Sequence, residues 1–324
     1  MREITLSAVQ ASDLGIDAQF NTISEEHDIN DIMDIHVMPR LEAQASLLKS
    51  CSGPGINMAL TIEDVCGLSY FLLADAPFFN ELVVRSASAA IEKFSALAVA
   101  RNLYIAACYF KSLNGKNYNV VSIFGPCGQI LGEYKKTHIP PNEMWHIADG
   151  DELNIIELDF ARIGVLICYD MMFPEAAASL SCKGAEIVLH PTGGYGWYDS
   201  IGEATLRTRA NDTSAYILTA KNYVYNAAGK SSIIDPWGHV LADAAFYPDV
   251  VVSKTIDLDA KKAQPEWFYQ SKMSGFSDVK KRYAMERRPE LYESLVTPAK
   301  RLRVPNASER AALKDMIRAN SCRW

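Results

Sequence analysis

The chain has 324 residues, of which 49% are hydrophobic and 22% are charged. Its 39 acidic and 32 basic residues give a formal net charge of −7 at pH 7. These proportions are typical of a folded globular protein, and they exclude a mostly disordered chain, a collagen-like repeat and a coiled coil. The acidic balance also argues against a nucleic-acid-binding surface as the main function.

The apolar runs and the cysteines predict a protein of the reducing cytoplasm. Met1–Thr5 contains no basic region followed by an apolar stretch, so we expect no secretory signal. Nowhere do about 18 apolar residues follow one another, so we expect no membrane span. The chain has 7 cysteines, an odd number without a C-x-x-C pair, which argues against a complete disulfide framework and against a zinc ribbon.

Short runs rich in Val, Ile and Leu predict β-strands along most of the chain. In chain order the predicted strands are Thr5–Gln10, Met58–Ile62, Leu103–Phe110, Asn117–Phe124, Ile163–Cys168, Glu186–His190, Ala215–Lys221, Ser231–Ile234 and Val250–Ile256. Helical patterns cover Met38–Lys49, Asn80–Arg101, Pro174–Lys183, Glu203–Asp212 and Ala307–Ala319. Turn signals at 113–116 and 235–238 predict two hairpins. The mixture predicts an α/β fold.

The segment from Ile163 to His190 forms the clearest unit. An apolar strand is followed by Pro174, which marks a helix start, and Gly184 ends that helix before the next apolar strand. A strand, a helix and a second strand with short joints form a βαβ unit, which predicts two neighbouring parallel strands.

Two segments are predicted to be peripheral to a single domain. Residues 12–36 are polar and acidic and lie between the first strand and the first predicted helix, and residues 260–324 carry many charges with little strand character. No linker rich in Gly, Ser or Pro separates either segment. We expect one domain over 1–295, with an acidic insert at about 12–36, and a C-terminal extension over 296–324.

Common catalytic and metal-binding motifs are absent from the sequence. It contains no G-x-S-x-G, no G-x-G-x-x-G, no Walker A sequence and no H-E-x-x-H. The acidic residues and histidines between Glu25 and His36 lack the spacing of a ligand set, so a solvated acidic loop is the better interpretation. We expect neither a metal nor an organic cofactor.

Cys168 stands where an apolar strand ends and a helix begins. A thiol at that point lies at the carboxyl end of the sheet, where α/β proteins bind their ligands. We expect the following helix N-terminus to lower its pKa. Taken by itself, a lone cysteine after an apolar run is more often a small buried core residue than a nucleophile.

Residues 163–175, around Cys168, resemble the nucleophile segment of the carbon–nitrogen hydrolases, the nitrilase superfamily. That family uses a Glu–Lys–Cys triad, named in chain order. A glutamate motif followed by a lysine motif is therefore expected upstream of the cysteine. Residues 132–143 resemble the lysine motif and imply Lys136 as the catalytic lysine. Residues 59–64 resemble the glutamate motif and imply Glu63.

The glutamate motif departs from the family pattern. The family usually has Pro before its glutamate and Gly-Tyr five and six residues after it. Here Ile62 precedes Glu63, and Gly67 and Tyr70 are displaced. Asp64 is the local competitor of Glu63, with a side chain of the wrong length for the family role.

The resemblance extends over about residues 3–295 and carries several implications. It implies a compact, single-domain α-β-β-α sandwich and a homo-oligomer, usually a dimer formed through helices near the nucleophile. Residues 207–211 resemble the family's arginine helix and 229–238 its late hairpin. Residues 287–292 resemble family C-termini, which implies an extension that reaches a partner subunit.

The triad implied by the resemblance has a clear chemistry. Cys168 attacks an amide carbon, Glu63 takes the thiol proton and delivers it to the leaving amine, and the Lys136 ammonium with the backbone N–H of Tyr169 holds the oxyanion. Glu143 resembles a second glutamate that orients the lysine and substrate. The aromatic residues Trp145, Tyr195 and Trp197 have two interpretations, loop packing and a wall of the substrate pocket.

Three functions remain open on the sequence. The first is hydrolysis of a small linear amide or N-carbamoyl compound through a thioester, releasing ammonia or an amine. The second is a nitrilase, although the sequence after the nucleophile reads Cys-Tyr-Asp, where a nitrilase would have Cys-Trp-Glu. The third is a catalytically idle family member that acts as a binding protein. The sequence does not identify the substrate.

Overall fold

The computed structural model describes residues 2–12, 28–193, 199–223, 230–260 and 278–297, together with residues 306, 308, 309 and 312. Within these residues twelve strands are present: β1 (Glu3–Ser12), β2 (Ile56–Leu60), β3 (Tyr104–Leu113), β4 (Lys116–Phe124), β5 (Ile130–Lys135), β6 (Ile155–Glu157), β7 (Arg162–Val165), β8 (Ile187–Thr192), β9 (Tyr216–Tyr223), β10 (Ser232–Ile234), β11 (Val240–Asp243) and β12 (Val250–Asp257).

Helices alternate with these strands. The α-helices of the described residues are α1 (Ile29–Ile32), α2 (Met38–Leu48), α3 (Ala76–Arg101), α4 (Pro174–Cys182), α5 (Asp199–Thr213), α6 (Val279–Glu286) and α7 (Glu293–Val296). A π-helical turn at Met33–Val37 joins α1 to α2, and 3-10 turns occur at Leu68–Phe71, Cys168–Met172 and Pro289–Leu291. None of the helices described is long and apolar enough to cross a membrane.

The strands form one continuous sheet that folds back on itself. Its main path runs β5-β4-β3-β2-β1-β9-β8-β7-β6, with β12 antiparallel to β1 and the β10–β11 hairpin attached to β9. The two ends of the path meet, since a Cβ on Gly132 of β5 would lie only 2.6 Å from the Ile156 Cγ2 atom of β6. Only glycine allows that approach, which brings the two halves of the sheet face to face.

Three apolar clusters define four layers. Helices α1–α3 pack on one outer sheet face through residues such as Leu41, Phe79 and Phe94. A second cluster, which includes Leu6 and Ile163, fills the space between the two sheet halves. The third cluster packs α4 and α5 on the other outer face. The order helix, sheet, sheet, helix confirms the predicted single-domain α-β-β-α sandwich.

The predicted strands are all present, and the βαβ unit is confirmed by parallel pairing of β7 with β8, Ile163 opposite Ile187. The strand predicted as Ile163–Cys168 ends earlier, at Val165, because the chain turns sharply at Cys168, whose φ is +44°. Three strands were not predicted, namely β5, β6 and β11. Two of them have only three or four residues, and β5 has only one buried residue, so it lacks an apolar run.

The helix predicted at Met38–Lys49 is confirmed as α2, but helical structure already begins before it. Residues 29–36, which we expected in a polar acidic insert, are already helical, because Asp28 accepts a hydrogen bond from the Asn30 N–H and caps α1. The rest of the insert, residues 13–27, lies outside the described residues, as does almost all of the helix predicted at Ala307–Ala319. The domain bounds at 1–295 and 296–324 stay a prediction.

Candidate active site

Three predicted catalytic side chains lie just beyond the carboxyl ends of three strands. Glu63 follows β2, Lys136 follows β5 directly, and Cys168 follows β7. The strand ends converge because β2 and β7 belong to facing halves of the folded sheet, with β5 at the closing edge. The fold therefore brings together residues that are 105 positions apart in the chain, counted from 63 to 168.

Lys136 is the centre of a buried charged group. Its side chain is fully buried, and its Nζ donates to Glu63 Oε1 at 2.9 Å and to both carboxylate oxygens of Glu143, at 2.9 and 3.1 Å. The backbone fixes the lysine as well, since the Lys136 N–H donates to the Asn119 carbonyl at 2.8 Å. One ammonium thus lies between two carboxylates that are themselves nearly inaccessible.

The Glu63 carboxylate is held at both oxygens. Asn119 Nδ2 donates to Oε1 at 3.0 Å, beside the bond from Lys136, and the Gly193 N–H donates to Oε2 at 2.7 Å. Hydrogen bonds of this kind stabilise the ionised form of a carboxylate. Burial alone would raise the pKa of Glu63, but the Lys136 charge and the hydrogen bonds from Lys136 and the Gly193 N–H hold it below its ordinary value.

The other two members of the charged cluster, Lys136 and Glu143, also have shifted pKa values. Burial disfavours the Lys136 ammonium, yet the adjacent Glu63 and Glu143 carboxylates keep its pKa well above the ordinary value. Burial raises the pKa of Glu143 to about 7, against the attraction of Lys136, and the negative charge of Glu63 adds to the rise. The Lys136 ammonium therefore keeps Glu63 ionised, whereas Glu143 gains or loses its proton near neutral pH.

Cys168 lies in a left-handed backbone conformation at the cavity wall and is partly exposed. A φ of +44° is rare for a residue with a side chain, and such conformations often occur at functional sites. The expected lowering of its pKa is wrong. Burial, followed by the negative charge of Glu63, raises the pKa of Cys168 to about 12 despite Lys136 nearby. The helix start that we expected to act on the thiol is only a 3-10 turn.

Asp64, the competitor of Glu63, has a different set of contacts. Its carboxylate accepts hydrogen bonds from the Leu68 N–H at 3.0 Å and from the N–H and Oγ of Ser69, both at 2.7 Å. Burial raises the pKa of Asp64 to about 6, although these donors oppose the rise. Asp64 therefore stabilises the turn after β2, whereas Glu63 contacts the lysine.

A cavity of about 440 Å³ opens at this cluster. Its wall includes Glu63, Glu143, Cys168 and Tyr169. Trp145 is half-buried and is not one of the cavity-lining residues within the described part of the chain. The other two aromatic residues predicted for the pocket, Tyr195 and Trp197, lie outside the described residues.

The sequence analysis missed several residues that hold the site together. Asn119 and Gly193 bind Glu63, and Asp170 accepts hydrogen bonds from the Ile167 N–H and the Tyr134 hydroxyl, at 2.9 and 2.8 Å. Asn119 offered a weak signal, because it is a polar residue directly before the apolar pair Val120-Val121 of β4. Across the described ranges no group of three or more His, Cys, Asp or Glu side chains could hold a metal ion.

Solved structures define the class of protein to which this fold belongs. Saccharomyces cerevisiae Nit3, a member of branch 10 of the nitrilase superfamily, matches with a TM-score of 0.61 and 20% identity over 87% of this chain and 97% of Nit3. A variant of the amidase from Nesterenkonia sp. AN1, which carries the acetamide moiety of fluoroacetamide on its active-site cysteine, matches with a TM-score of 0.63 and 18% identity over 91% of this chain and 96% of that one. The fold is that of the nitrilase superfamily.

Sequence comparison then identifies the family. The carbon-nitrogen hydrolase family model matches residues 67–265, so the chain belongs to this family, as its motifs predicted. The Homo sapiens omega-amidase NIT2 is 30% identical over 208 residues, which cover 58% of this chain and 72% of that protein. A hydrolase encoded in the pqqF 5' region of Pseudomonas protegens is 34% identical over 192 residues, which cover 57% of this chain and 62% of that relative's length.

Proposed function

We propose that the protein hydrolyses the C–N bond of a small linear amide or N-carbamoyl compound through a thioester on Cys168. The observation that carries this proposal is the buried set of Glu63, Lys136 and Glu143 at the cavity that Cys168 also lines. An amide and water are consumed, and a carboxylic acid and ammonia or an amine are released.

In the first half of the reaction, Cys168 attacks the carbonyl carbon of the amide. The high pKa of Cys168 keeps its thiol neutral at rest, so Glu63 takes the proton as the S–C bond forms. The Lys136 ammonium and the Tyr169 N–H stabilise the negative charge on the substrate oxygen. Glu63 then delivers the proton to the leaving nitrogen, the C–N bond breaks, and the acyl group remains on Cys168.

In the second half, water replaces the amine. Glu63 takes a proton from the water molecule, the hydroxyl oxygen bonds to the thioester carbon, and the C–S bond breaks as the thiol regains its proton. Glu143 contributes by holding the Lys136 ammonium at the oxyanion position through its two short contacts. We assign it a positioning role, since it acts through the lysine.

Relatives support an amide rather than a nitrile as the substrate. One relative is an omega-amidase, and one structural neighbour is an amidase. From the family resemblance we also propose that the chain forms a homo-oligomer. Light scattering of the full chain tests that point, with a monomer as the contradictory result.

Ammonia release from a panel of amides, N-carbamoyl compounds and nitriles tests the proposed reaction. We expect turnover of amides or N-carbamoyl compounds by the wild type and none by Cys168→Ala. Cys127→Ala, which removes an exposed thiol, serves as the control. Intact-mass measurement of the wild type, quenched in acid during turnover of an active amide, is expected to show an acyl adduct on Cys168. Turnover of nitriles alone, or turnover by the Cys168→Ala protein, would overturn the proposal.

A further inference from the structure

A buried cysteine on β3 lies behind the Glu63 carboxylate. Cys108 is fully buried, so it does not reach a substrate, and the proposed reaction does not use it. Cysteine is often a small core residue, and Cys108 belongs to the apolar cluster between the two halves of the sheet. Its hydrogen bonds, however, all run towards the segment that carries Glu63 and towards a neighbour of its carboxylate.

The backbone of Cys108 holds the chain on both sides of Glu63. Its N–H donates to Thr61 Oγ1 at 3.0 Å, and its carbonyl accepts from the Val65 N–H at 3.0 Å. The Thr61 hydroxyl in turn donates to the Ile62 carbonyl at 3.0 Å. The chain is therefore fixed to β3 two residues before and two residues after the carboxylate.

The side chain of Cys108 reaches the carboxylate through one intermediate, Asn119 of β4. The Cys108 Sγ lies 3.3 Å from Asn119 Oδ1, and Asn119 Nδ2 donates to Glu63 Oε1 at 3.0 Å. An amide oxygen only accepts hydrogen bonds, so the thiol is the donor. Burial, followed by the negative charge of Glu63, raises the pKa of Cys108 well above its ordinary value, so the thiol keeps the proton that it donates.

This contact favours one orientation of the Asn119 amide. Asn119 is buried, and among the described residues its Oδ1 has no donor other than the thiol. Turned by about 180°, the amide would place Oδ1 against the Glu63 carboxylate and its NH₂ group against sulfur, which is a weak acceptor. Hydrogen bonds in a chain also polarise one another, so an amide whose oxygen accepts a bond is a stronger donor at its nitrogen. The thiol thus supports the orientation in which Asn119 stabilises negative charge on Glu63.

We propose that Cys108 is a positioning residue: its thiol holds the Asn119 amide so that the NH₂ group faces the Glu63 carboxylate. The inference rests on the proposed hydrolysis, in which Glu63 must be ionised to take the proton of Cys168. Because Cys108 is fully buried, it acts through Asn119 and not on the substrate. We expect loss of the thiol to raise the pKa of Glu63, since a hydrogen bond to the ionised carboxylate is weakened.

Several titratable groups besides Cys108 act on Glu63. They are Lys136, which follows β5, Glu143 beyond it, Asp64 next to Glu63 in the chain, Cys168 after β7 and His190 on β8. All of them are kept in the variants that compare Cys108 with Asn119. A difference in the pKa of Glu63 between these variants therefore arises from the thiol and the amide.

Carbon-13 NMR of the side-chain carboxyl groups measures the pKa of Glu63 without turnover. In protein labelled at the glutamate carboxyl carbon, the signal that is missing from Glu63→Gln identifies Glu63. We expect Cys108→Ala to raise this pKa by about 0.4 to 1 pH unit, the equivalent of one neutral hydrogen bond. Cys108→Ser keeps a donor and is expected to reverse most of the shift. Cys51→Ala, which removes another buried thiol, is the matched control without a shift. An unchanged pKa in Cys108→Ala, or an equal shift in Cys51→Ala, would overturn the proposal.

A double variant tests whether the thiol acts through Asn119. Asn119→Ala removes the donor itself and is expected to raise the pKa of Glu63 more than Cys108→Ala does. Cys108→Ala/Asn119→Ala is expected to match Asn119→Ala, since the effects of two groups in one hydrogen-bonded chain do not add. A second shift of the same size in the double variant would contradict the role of the amide. Cys108→Val, which fills the space without a donor, replaces Cys108→Ala if thermal unfolding shows that Cys108→Ala does not fold.

Kinetics distinguish this inference from the proposed reaction. With an amide that the wild type hydrolyses, the kcat/KM profile falls at low pH, where protonated Glu63 cannot take the thiol proton. We expect this fall to move to higher pH in Cys108→Ala by the amount of the NMR shift, with kcat/KM at high pH less affected. If no amide is hydrolysed but the NMR shift is found, the positioning role stands and the proposed hydrolysis fails. If amides are hydrolysed and Cys108→Ala changes neither the pKa of Glu63 nor the profile, the hydrolysis stands and the positioning role fails.

Discussion

Asp170, two residues after Cys168, binds His138, two residues after Lys136. Its Oδ1 accepts hydrogen bonds from the His138 N–H and from the His138 ring Nδ1–H, both at 2.8 Å. The His138 ring also stacks on Phe173, with 3.9 Å between the centroids. A single buried carboxylate therefore joins the turn at Cys168 to the segment that carries Lys136.

Asp170→Asn is expected to loosen this connection. The amide nitrogen would face donors that now bind a carboxylate, and a buried group without its partner costs about 1–3 kcal/mol. We expect urea unfolding to show a loss of that size, together with a lower kcat. Glu175→Gln, at an exposed carboxylate near the same turn, is the control. Unchanged stability and kcat in Asp170→Asn would contradict the role given to this contact.

Lys136→Met is expected to destabilise the protein as well as inactivate it. Removing the ammonium leaves the Glu63 and Glu143 carboxylates buried without compensation, and breaking a buried ion pair typically costs about 3–5 kcal/mol. The double variant Lys136→Met/Glu63→Gln is expected to regain part of that stability, because one buried negative charge is gone. Denaturant unfolding measures both. If Lys136→Met were as stable as the wild type, the two carboxylates would not be buried as described.

Alkylation of Cys168 is expected to depend steeply on pH. With the pKa raised to about 12, the thiolate fraction increases about tenfold for each pH unit below that value. Peptide-resolved labelling with iodoacetamide between pH 6 and pH 10 is therefore expected to show no plateau. In Glu63→Gln the loss of a neighbouring negative charge lowers the pKa of Cys168 and increases labelling at each pH. A plateau below pH 9 in the wild type would contradict this.

His190 is expected to make the protein less stable in acid. Burial lowers its pKa to about 4, while in the unfolded chain the pKa is near 6.5. As the pH falls from 6.5 towards 4, the unfolded state takes up a proton that the folded state does not, so unfolding becomes easier by roughly 3 kcal/mol in all. Urea unfolding at several pH values measures this loss in the wild type. In His190→Asn the free energy of unfolding is expected to fall less between pH 6.5 and pH 4 than in the wild type. An equal fall in both proteins would exclude His190 as its cause.

Much of the fold was predictable from local patterns. The apolar runs marked nine strands, and the Pro174 and Gly184 signals placed α4 between β7 and β8. Strand β5 was missed because only one of its residues is buried and its sequence carries a glycine, Gly132, whose role is visible only against β6. The start of α1 was missed because acidic composition suggested a loop.

Some residues of the candidate site were predictable from the sequence, and others became visible only in the structure. Residue order in the motifs pointed to Cys168, Lys136 and Glu63, because a chemical motif is a local property of the chain. The supports of Glu63 come from Asn119 and Gly193, which are 56 and 130 residues away, and no local pattern links positions so distant. The left-handed conformation of Cys168 was likewise invisible, since it depends on how the turn is held.

The sequence by itself determined most of the strands and the family, and it named the candidate catalytic side chains. Only the tertiary structure decided their charge states. Lys136 stays protonated, Glu143 has a pKa of about 7 and the Cys168 thiol is neutral, the opposite of what its place before a helix indicated. The reason is physical: a pKa depends on burial and on the distances to other charges, and both are set by the folding of the sheet around groups that lie far apart in the chain.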